Sequence, residues 1–304
     1  KGHRVHVASE AQRSLAGSSR FCVQHHTYPD PAADRNAFIA TIERLVVEHD
    51  IDILIPATDV AVIPIAANRE RLHAHCVVPL PPAEAVELAA DKVAITALAK
   101  ELGVATPTTQ LVSRKSDGDA AFDAFPVVIK PARSRVRTAT GWLFTGVDYA
   151  HSHSELQEKL ESLPDAAFPV LLQERIPGPG IGTFYCFDNG RKIANFAHRR
   201  LHEKPPSGGV SVLRESVLPH QLADESSVKL LEAIGWHGVA MVEFKLDERD
   251  NLPKLMEING RFWGSLQLAI DAGVDFPDLL VRVATGQSPD VLDSYQTGVR
   301  SRWL

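Results

Sequence analysis

The sequence has little cysteine, no excess of positive charge and no long apolar run. Only 3 cysteines occur in 304 residues (Cys22, Cys76 and Cys186), scattered and without metal-type or disulfide-type spacing. They read as reduced thiols, which points to a cytoplasmic setting. Lys and Arg number 32 against 38 Asp and Glu, a net charge of −6. That balance excludes general nucleic-acid binding, which needs a dense cationic footprint. No apolar stretch of about 18 residues is present. The oiliest region, 51–67, is broken by Asp52, Pro56, Asp59 and Pro64, so no membrane span is expected. Neither a signal peptide nor an internal repeat is visible.

What remains is ordinary globular composition, 44% hydrophobic and 23% charged. The length suits two domains. Over residues 1–80, strands at 4–9, 21–25, 52–56 and 76–79 alternate with helical spacing at 33–48 and before 76, the pattern of a parallel α/β sheet. The chain starts at Lys1 in a segment that reads as a strand already under way, which predicts a preceding strand and helix. Pro79-Leu-Pro-Pro82 marks a boundary. Residues 83–115 read as helix and then extended chain, with Gly103 as a C-cap. A small α+β unit follows over 126–175. Long antiparallel strands are predicted at 181–188, 191–200, 209–217, 237–248 and 252–260, with a helix at 220–234 and closing helices at 265–272 and 275–286.

The strongest chemical signal lies in Val242-Glu243-Phe244-Lys245 and Met256-Glu257-Ile258-Asn259-Gly260-Arg261, joined by turn-forming residues 247–251. A hairpin symmetric about residue 250 sets Glu243 directly opposite Glu257. Like charges so placed repel unless a cation lies between them. Alternation puts Glu257, Asn259 and Arg261 on one face. Few, hard oxygen ligands suit Mg²⁺, and Arg261 suits a phosphate or carboxylate oxygen. The competing reading is a solvated hairpin face.

Three further segments each read two ways. Lys130 ends the apolar strand Val127-Val-Ile-Lys-Pro131, either as a snorkelling surface group or as a point-charge phosphate ligand, with Arg133, Ser134 and Arg135 following. Gln173-Glu174-Arg175-Ile176-Pro177-Gly178 is a plain strand end or a linker offering backbone groups to an adenine edge. His198-Arg199-Arg200-Leu201-His202-Glu203-Lys204 runs into Pro205-Pro206-Ser207-Gly208-Gly209. It is either a solvated hairpin rim or a loop that approaches an anionic ligand closely.

The ordered set (helix lysine, strand lysine, hinge, then Glu…Glu-x-Asn-x-Arg) resembles the ATP-grasp superfamily. In particular it looks like the carboxylate–amine ligase branch related to the carbamoyl-phosphate synthase large chain and biotin carboxylase. The resemblance implies a truncated Rossmann-like pre-ATP-grasp domain at 1–80. A two-lobed ATP-grasp fold with an antiparallel sheet would follow. Its N-terminal lobe would span 81–175, with a small lobe at about 115–175, and its C-terminal lobe 176–304. It also implies roles. Lys92, Lys130, Ser134, Gln173, Glu174, Arg175, Ile176 and Met256 would hold ATP. Glu243, Glu257 and Asn259 would hold Mg²⁺, with Mn²⁺ as a substitute. Arg261, Arg199 and Arg200 would act on an acyl phosphate. Arg133, Arg135, His198, Lys204 and the Ser207-Gly208-Gly209 loop would bind substrate. Two departures stand out. The loop after Lys130 is not glycine-rich, and no acidic residue for the ribose is evident at 179–183.

The implied activity is an ATP- and Mg²⁺-dependent ligase that activates a small carboxylate as an acyl phosphate for attack by an amine, forming a C–N bond. The partners would be those small molecules, without nucleic acid or membrane, in a homodimer. The alternatives are an ATP-binding module without turnover and a fragment of a larger synthetase.

Overall fold

A computed structural model describes residues 2–117, 122, 125–132, 135–138, 141–144, 147–204, 210–287, 289–292 and 294–302. The chain divides into two compact units, Lys1–Val78 and Pro79–Leu304.

In the first unit, β1 (Val5–Ser9) and β2 (Cys22–Thr27) pair in parallel. Helix α1 (Arg35–Glu48) follows, opened by Asp34, whose side chain accepts from the Ala37 N–H. Its apolar positions Phe38, Ile39, Ile42, Leu45 and Val46 are buried, as the helical spacing predicts. The expected strands at 52–56 and 76–79 shrink to one parallel bridge, Ile53 to Val77. Leu54 N–H donates to Val77 O and Val77 N–H to Asp52 O, at 2.9 and 2.8 Å. Pro56 has no N–H with which to extend that ladder. Helices α2 (Asp59–Ala67) and α3 (Arg69–His73) lie between the bridged segments.

The second unit opens with α4 (Ala83–Ala90) and α5 (Lys92–Glu101). Asp91 caps α5 by accepting from Val93 and Ala94 N–H at 2.8 and 3.1 Å. Gly103, at φ +70°, ends it. Then come β3 (Thr109–Val112), β4 (Val127–Pro131), the hairpin β5 (Arg135–Thr138) with β6 (Gly141–Phe144), β7 (Asp148–Ala150), α6 (His153–Ser162) and β8 (Val170–Glu174). Strands β3, β8, β4 and β7 form an antiparallel four-stranded sheet in that order. One face of this sheet, with Val127, Ile129, Val170 and Leu172, packs on Leu156 and Leu160 of α6.

The rest is β9 (Gly180–Asp188), β10 (Arg191–Lys204), β11 (Val210–Ser216), α7 (Gln221–Ala233), β12 (Gly238–Leu246), β13 (Pro253–Asn259), α8 (Leu266–Asp271), α9 (Phe276–Ala284) and β14 (Arg300–Arg302). Six strands form one antiparallel sheet in the order β13-β12-β9-β10-β11-β14. One face buries Tyr185, Phe187, Val242, Phe244, Leu255 and Ile258 against Leu230 and Leu231 of α7, Ile95 and Ala99 of α5, and Trp236. Truncating a ring buried like Trp236 costs about 3–5 kcal/mol. The opposite face carries Glu243, Glu257, Arg200 and Arg214.

Candidate active site

The hairpin expected from the sequence is present. Glu243 pairs with Glu257 across β12 and β13, and Met241 with Asn259. A bulge follows Glu243, so Phe244 faces Leu255 and Met256 is the extra residue. The bulge turns Met256 toward the same side as Glu257. There its Sδ lies 3.8 Å from Lys130 Nζ.

Pairing extends that face across the sheet. Gly182 of β9 lies opposite both Glu243 and His198, and Gly180 lies opposite Lys245. Arg200 of β10 is paired with Arg214 of β11. The glycines clear a lane over β9, and through it Arg200 Nη2 reaches Glu243 Oε2 at 2.5 Å, two strands away. A Cβ at Gly182 would sit 2.9 Å from the Phe184 ring. From β13 to β11 the face therefore runs from two carboxylates and an amide to two guanidiniums.

Other elements close on the acidic end. Asp91 fixes the first turn of α5, and Lys92 in that turn places Nζ 3.6 Å from Glu257 Oε2. Asn259 Nδ2 donates to Glu257 Oε1 at 3.0 Å, and Arg261 Nη2 lies 3.4 Å from Asn259 Oδ1. Lys130 comes from the small sheet. Burial lowers its pKa to about 8, the Glu257 carboxylate opposes that shift and the Lys92 charge adds to it. Gln173 shares the Lys130 face of β4 and β8. Its Nε2 donates to Thr109 Oγ1 at 3.1 Å, while its buried Oε1 has no partner among the described residues.

Three side chains stand elsewhere than expected. Arg199, expected beside Arg200 at the acyl phosphate, is sent by strand alternation to the opposite face, where it donates to Glu215 at 2.6 and 2.8 Å beside Arg300. His198, expected at the substrate, is buried instead. It is 1% exposed, against Phe184 at 4.8 Å, with Nε2 3.0 Å from Ser265 Oγ. Burial, then the Arg200 and Arg214 charges, push its pKa down to about 3. Glu174, expected among the ATP contacts, is engaged elsewhere. Its carboxylate accepts from Thr108 N–H at 2.9 Å and from Arg249 Nη2 at 3.0 Å. Arg175 is exposed and Ile176 buried in the link between β8 and β9, and Lys204 is exposed at the end of β10. Arg135 lies in β5. Arg133, Ser134, Ser207, Gly208 and Gly209 lie outside the described residues. Arg214 and Ser265 escaped the sequence reading altogether.

The charged face lies on a large antiparallel sheet beside a smaller one, and comparison with known proteins places that arrangement. Residues 167–304 match the family model described as ATP-grasp in the biosynthetic pathway with Ter operon. The biotin carboxylase domain of the Hydrogenobacter thermophilus 2-oxoglutarate carboxylase, solved with MgADP and bicarbonate, superposes with a TM-score of 0.73. That match covers 96% of this chain and 66% of the other, at 18% identity. The fold is ATP-grasp. Among sequences, the D-alanine–D-alanine ligase of Syntrophotalea carbinolica is 26% identical over 67% of this chain and 68% of its own length. The vancomycin/teicoplanin A-type resistance protein VanA of Enterococcus faecium is 24% identical over 64% of the chain. The match spans 60% of VanA's length. No helix among the described residues is long and apolar enough to cross a membrane.

Proposed function

We propose that this ATP-grasp chain is an ATP-dependent ligase that joins a small carboxylate to an amine, with release of ADP and phosphate. The observation that carries the reading is the opposed pair Glu243 and Glu257 with Asn259, flanked by Lys92 and Lys130 at one end and by Arg200 and Arg214 at the other. The donor set fits Mg²⁺, because it offers hard oxygens from two repelling carboxylates and one amide. Glu243, Glu257 and Asn259 would hold that ion, which when bound neutralises charge on the nucleotide phosphates.

The rest of the work falls to the chain's own groups. Lys92 and Lys130 stand where a triphosphate would meet cationic charge, and Met256 and Gln173 lie beside Lys130 as walls for the base. Phosphoryl transfer needs mainly positioning and charge stabilisation. Arg200, Arg214 and Arg261 are the groups suited to bind the substrate carboxylate and then the acyl phosphate. His198 stands behind Arg200 as packing, and Arg199 braces the far face through Glu215. Arg133, Ser134, Arg135, Lys204 and the 207–209 loop complete the proposal as contacts to phosphate or substrate. In the same reading residues 1–80 form the pre-ATP-grasp domain, and 81–175 and 176–304 the two lobes.

The cytoplasmic setting rests on three free thiols, two of which burial renders inert, with Cys76 raised to about 11 and Cys186 to about 12. A homodimer belongs to the proposal because the biotin carboxylase domain was solved as a dimer. Light scattering of the purified chain tests it.

The decisive assay is ADP release with Mg·ATP across a panel of amino acids and dicarboxylates, each paired with amines. Turnover on at least one pair, abolished by Glu257→Gln, is expected. Full turnover in Glu257→Gln would overturn the metal assignment. Nucleotide binding without turnover on any pair would overturn the ligase and leave a binding module.

A further inference from the structure

The Lys1–Val78 unit contains a cluster that the proposed reaction does not use. His6 on β1, His26 on β2 and His49 at the end of α1 bring one ring nitrogen each to within 4.8 Å of one another. His6 Nδ1 and His26 Nε2 are 3.0 Å apart. The His6 and His26 rings stack with an interplanar angle of 6°, and the His49 ring lies 4.4 Å from His26 and 5.2 Å from His6 between centroids.

The backbone explains the meeting. The parallel pair aligns Ala8 with His26, and alternation puts His6 on the same face as Ala8. His49 is the C-cap residue of α1, and its backbone N–H bonds to Leu45 O and Val47 O. His25, next in sequence to His26, turns the other way and meets Ser9 Oγ at 2.8 Å. The cluster is therefore a product of the fold and not of a histidine-rich run.

We infer that His6, His26 and His49 form a binding site for one borderline divalent transition cation, of which Zn²⁺ is the representative. Imidazole nitrogen is the ligand type these ions prefer, and three histidines with an open fourth position are a known coordination number for them. Two further observations favour a cation here. The C-terminus of a 14-residue helix carries partial negative charge at His49. Glu48 places Oε1 3.9 Å from His49 Nε2, as an outer carboxylate that can orient the ring. In a tetrahedral site with Zn–N bonds of about 2.0–2.1 Å, ligand nitrogens lie about 3.4 Å apart. The 3.0 Å His6–His26 pair already lies near that spacing.

The site is independent of the proposed ligase site, whose residues all lie at position 92 or beyond. Its role would be to tie both strands to the end of α1. The test uses the tag-free full chain, titrated with Co²⁺ and watched for visible d–d absorption, then displaced with Zn²⁺. One equivalent with tetrahedral or five-coordinate bands is expected. Cu²⁺ electron paramagnetic resonance on the unmutated protein should show coupling to three nitrogens, a readout that no folding defect of a variant can confuse. His26→Ala and His49→Gln should each weaken Co²⁺ binding by more than about tenfold, since even outer-ligand changes cost that much. His75→Ala should leave it unchanged. Absence of saturable binding, fewer than three coupled nitrogens, or equal loss in His75→Ala would overturn the site.

Discussion

Acidification should destabilise the Pro79–Leu304 unit through one residue, His198. Its ring is 1% exposed, and its pKa is pushed from 6.5 to about 3 by burial, then by the Arg200 and Arg214 charges. The folded state thus refuses a proton that the unfolded chain accepts below pH 6.5. Stability from this group is complete above pH 6.5 and is lost as pH falls toward 3. Each unit below 6.5 costs about 1.4 kcal/mol, so the loss at pH 5 is about 2 kcal/mol. The assay is urea unfolding between pH 7.5 and 5, followed by tryptophan fluorescence. All 4 tryptophans (Trp142, Trp236, Trp263 and Trp303) lie in the second unit, so the signal reports that unit. His198→Gln is less stable at pH 7.5, having lost the ring packing on Phe184, but should lose about 2 kcal/mol less on acidification. The other histidines titrate equally in both proteins and cancel. A difference between the two proteins that stays constant within about 0.5 kcal/mol over this range would refute the argument.

Gly260→Ala places a Cβ 2.7 Å from Cη2 of the fully buried Trp236. Overpacking of this kind costs about 1–3 kcal/mol, and thermal melting should show the loss. Asp91→Ala removes the α5 cap and should cost about 1 kcal/mol, while nucleotide affinity also falls because Lys92 sits in the first turn; Asp91→Asn should restore both. Lys130, at about 8, loses its charge as pH rises through that value. ATP affinity should decline by up to about tenfold per pH unit above it, and Lys130→Arg should flatten the profile. A wild-type affinity that is flat from pH 7 to 9.5 would count against a phosphate role for Lys130.

Much of the large sheet was legible because its strands are long and locally patterned. The Glu243–Glu257 opposition follows from turn chemistry and symmetry alone. The bulge that swings Met256 to the Glu257 side does not, and its trace is that Leu255 and Ile258 enter the same core three residues apart, out of step with a period of two. Arg199 is different. The period of two already separates it from Arg200, so on a pleated strand the two guanidiniums cannot form one patch. His198 sits in a strand whose sequence gives no sign that Phe184 and Ser265 will enclose it. Glu174 is claimed by Arg249, 75 residues away, across the fold. Arg214 reaches the site only through the register of two strands joined across 205–209. The three-histidine cluster is scattered over positions 6, 26 and 49, spacings that match no metal motif.

The 2.5 Å contact between Arg200 and Glu243 bears directly on the proposed chemistry, because one carboxylate is given two partners. Glu243 is proposed as a metal ligand, and Arg200 as a substrate-binding cation. If both assignments hold, Arg200 competes with the ion for Glu243. The two side chains are 15% and 21% exposed, so the pair falls between surface pairs, at about 0.2–1 kcal/mol, and buried ones, where breaking costs about 3–5 kcal/mol. About 1–2 kcal/mol is a reasonable coupling, equivalent to a factor of about 5–30. Arg200→Met should therefore lower the Mg²⁺ concentration needed for half-maximal ATP binding by about that factor, as read by calorimetry, even though it removes a positive charge from an anion site. Turnover should fall at the same time, with the KM for the carboxylate raised. Simple loss of a phosphate contact would weaken nucleotide binding at every Mg²⁺ concentration. A Mg²⁺ requirement that is unchanged or increased in Arg200→Met would show that Glu243 does not exchange Arg200 for a metal ion. The acidic end of the face would then be a structural ion-pair network.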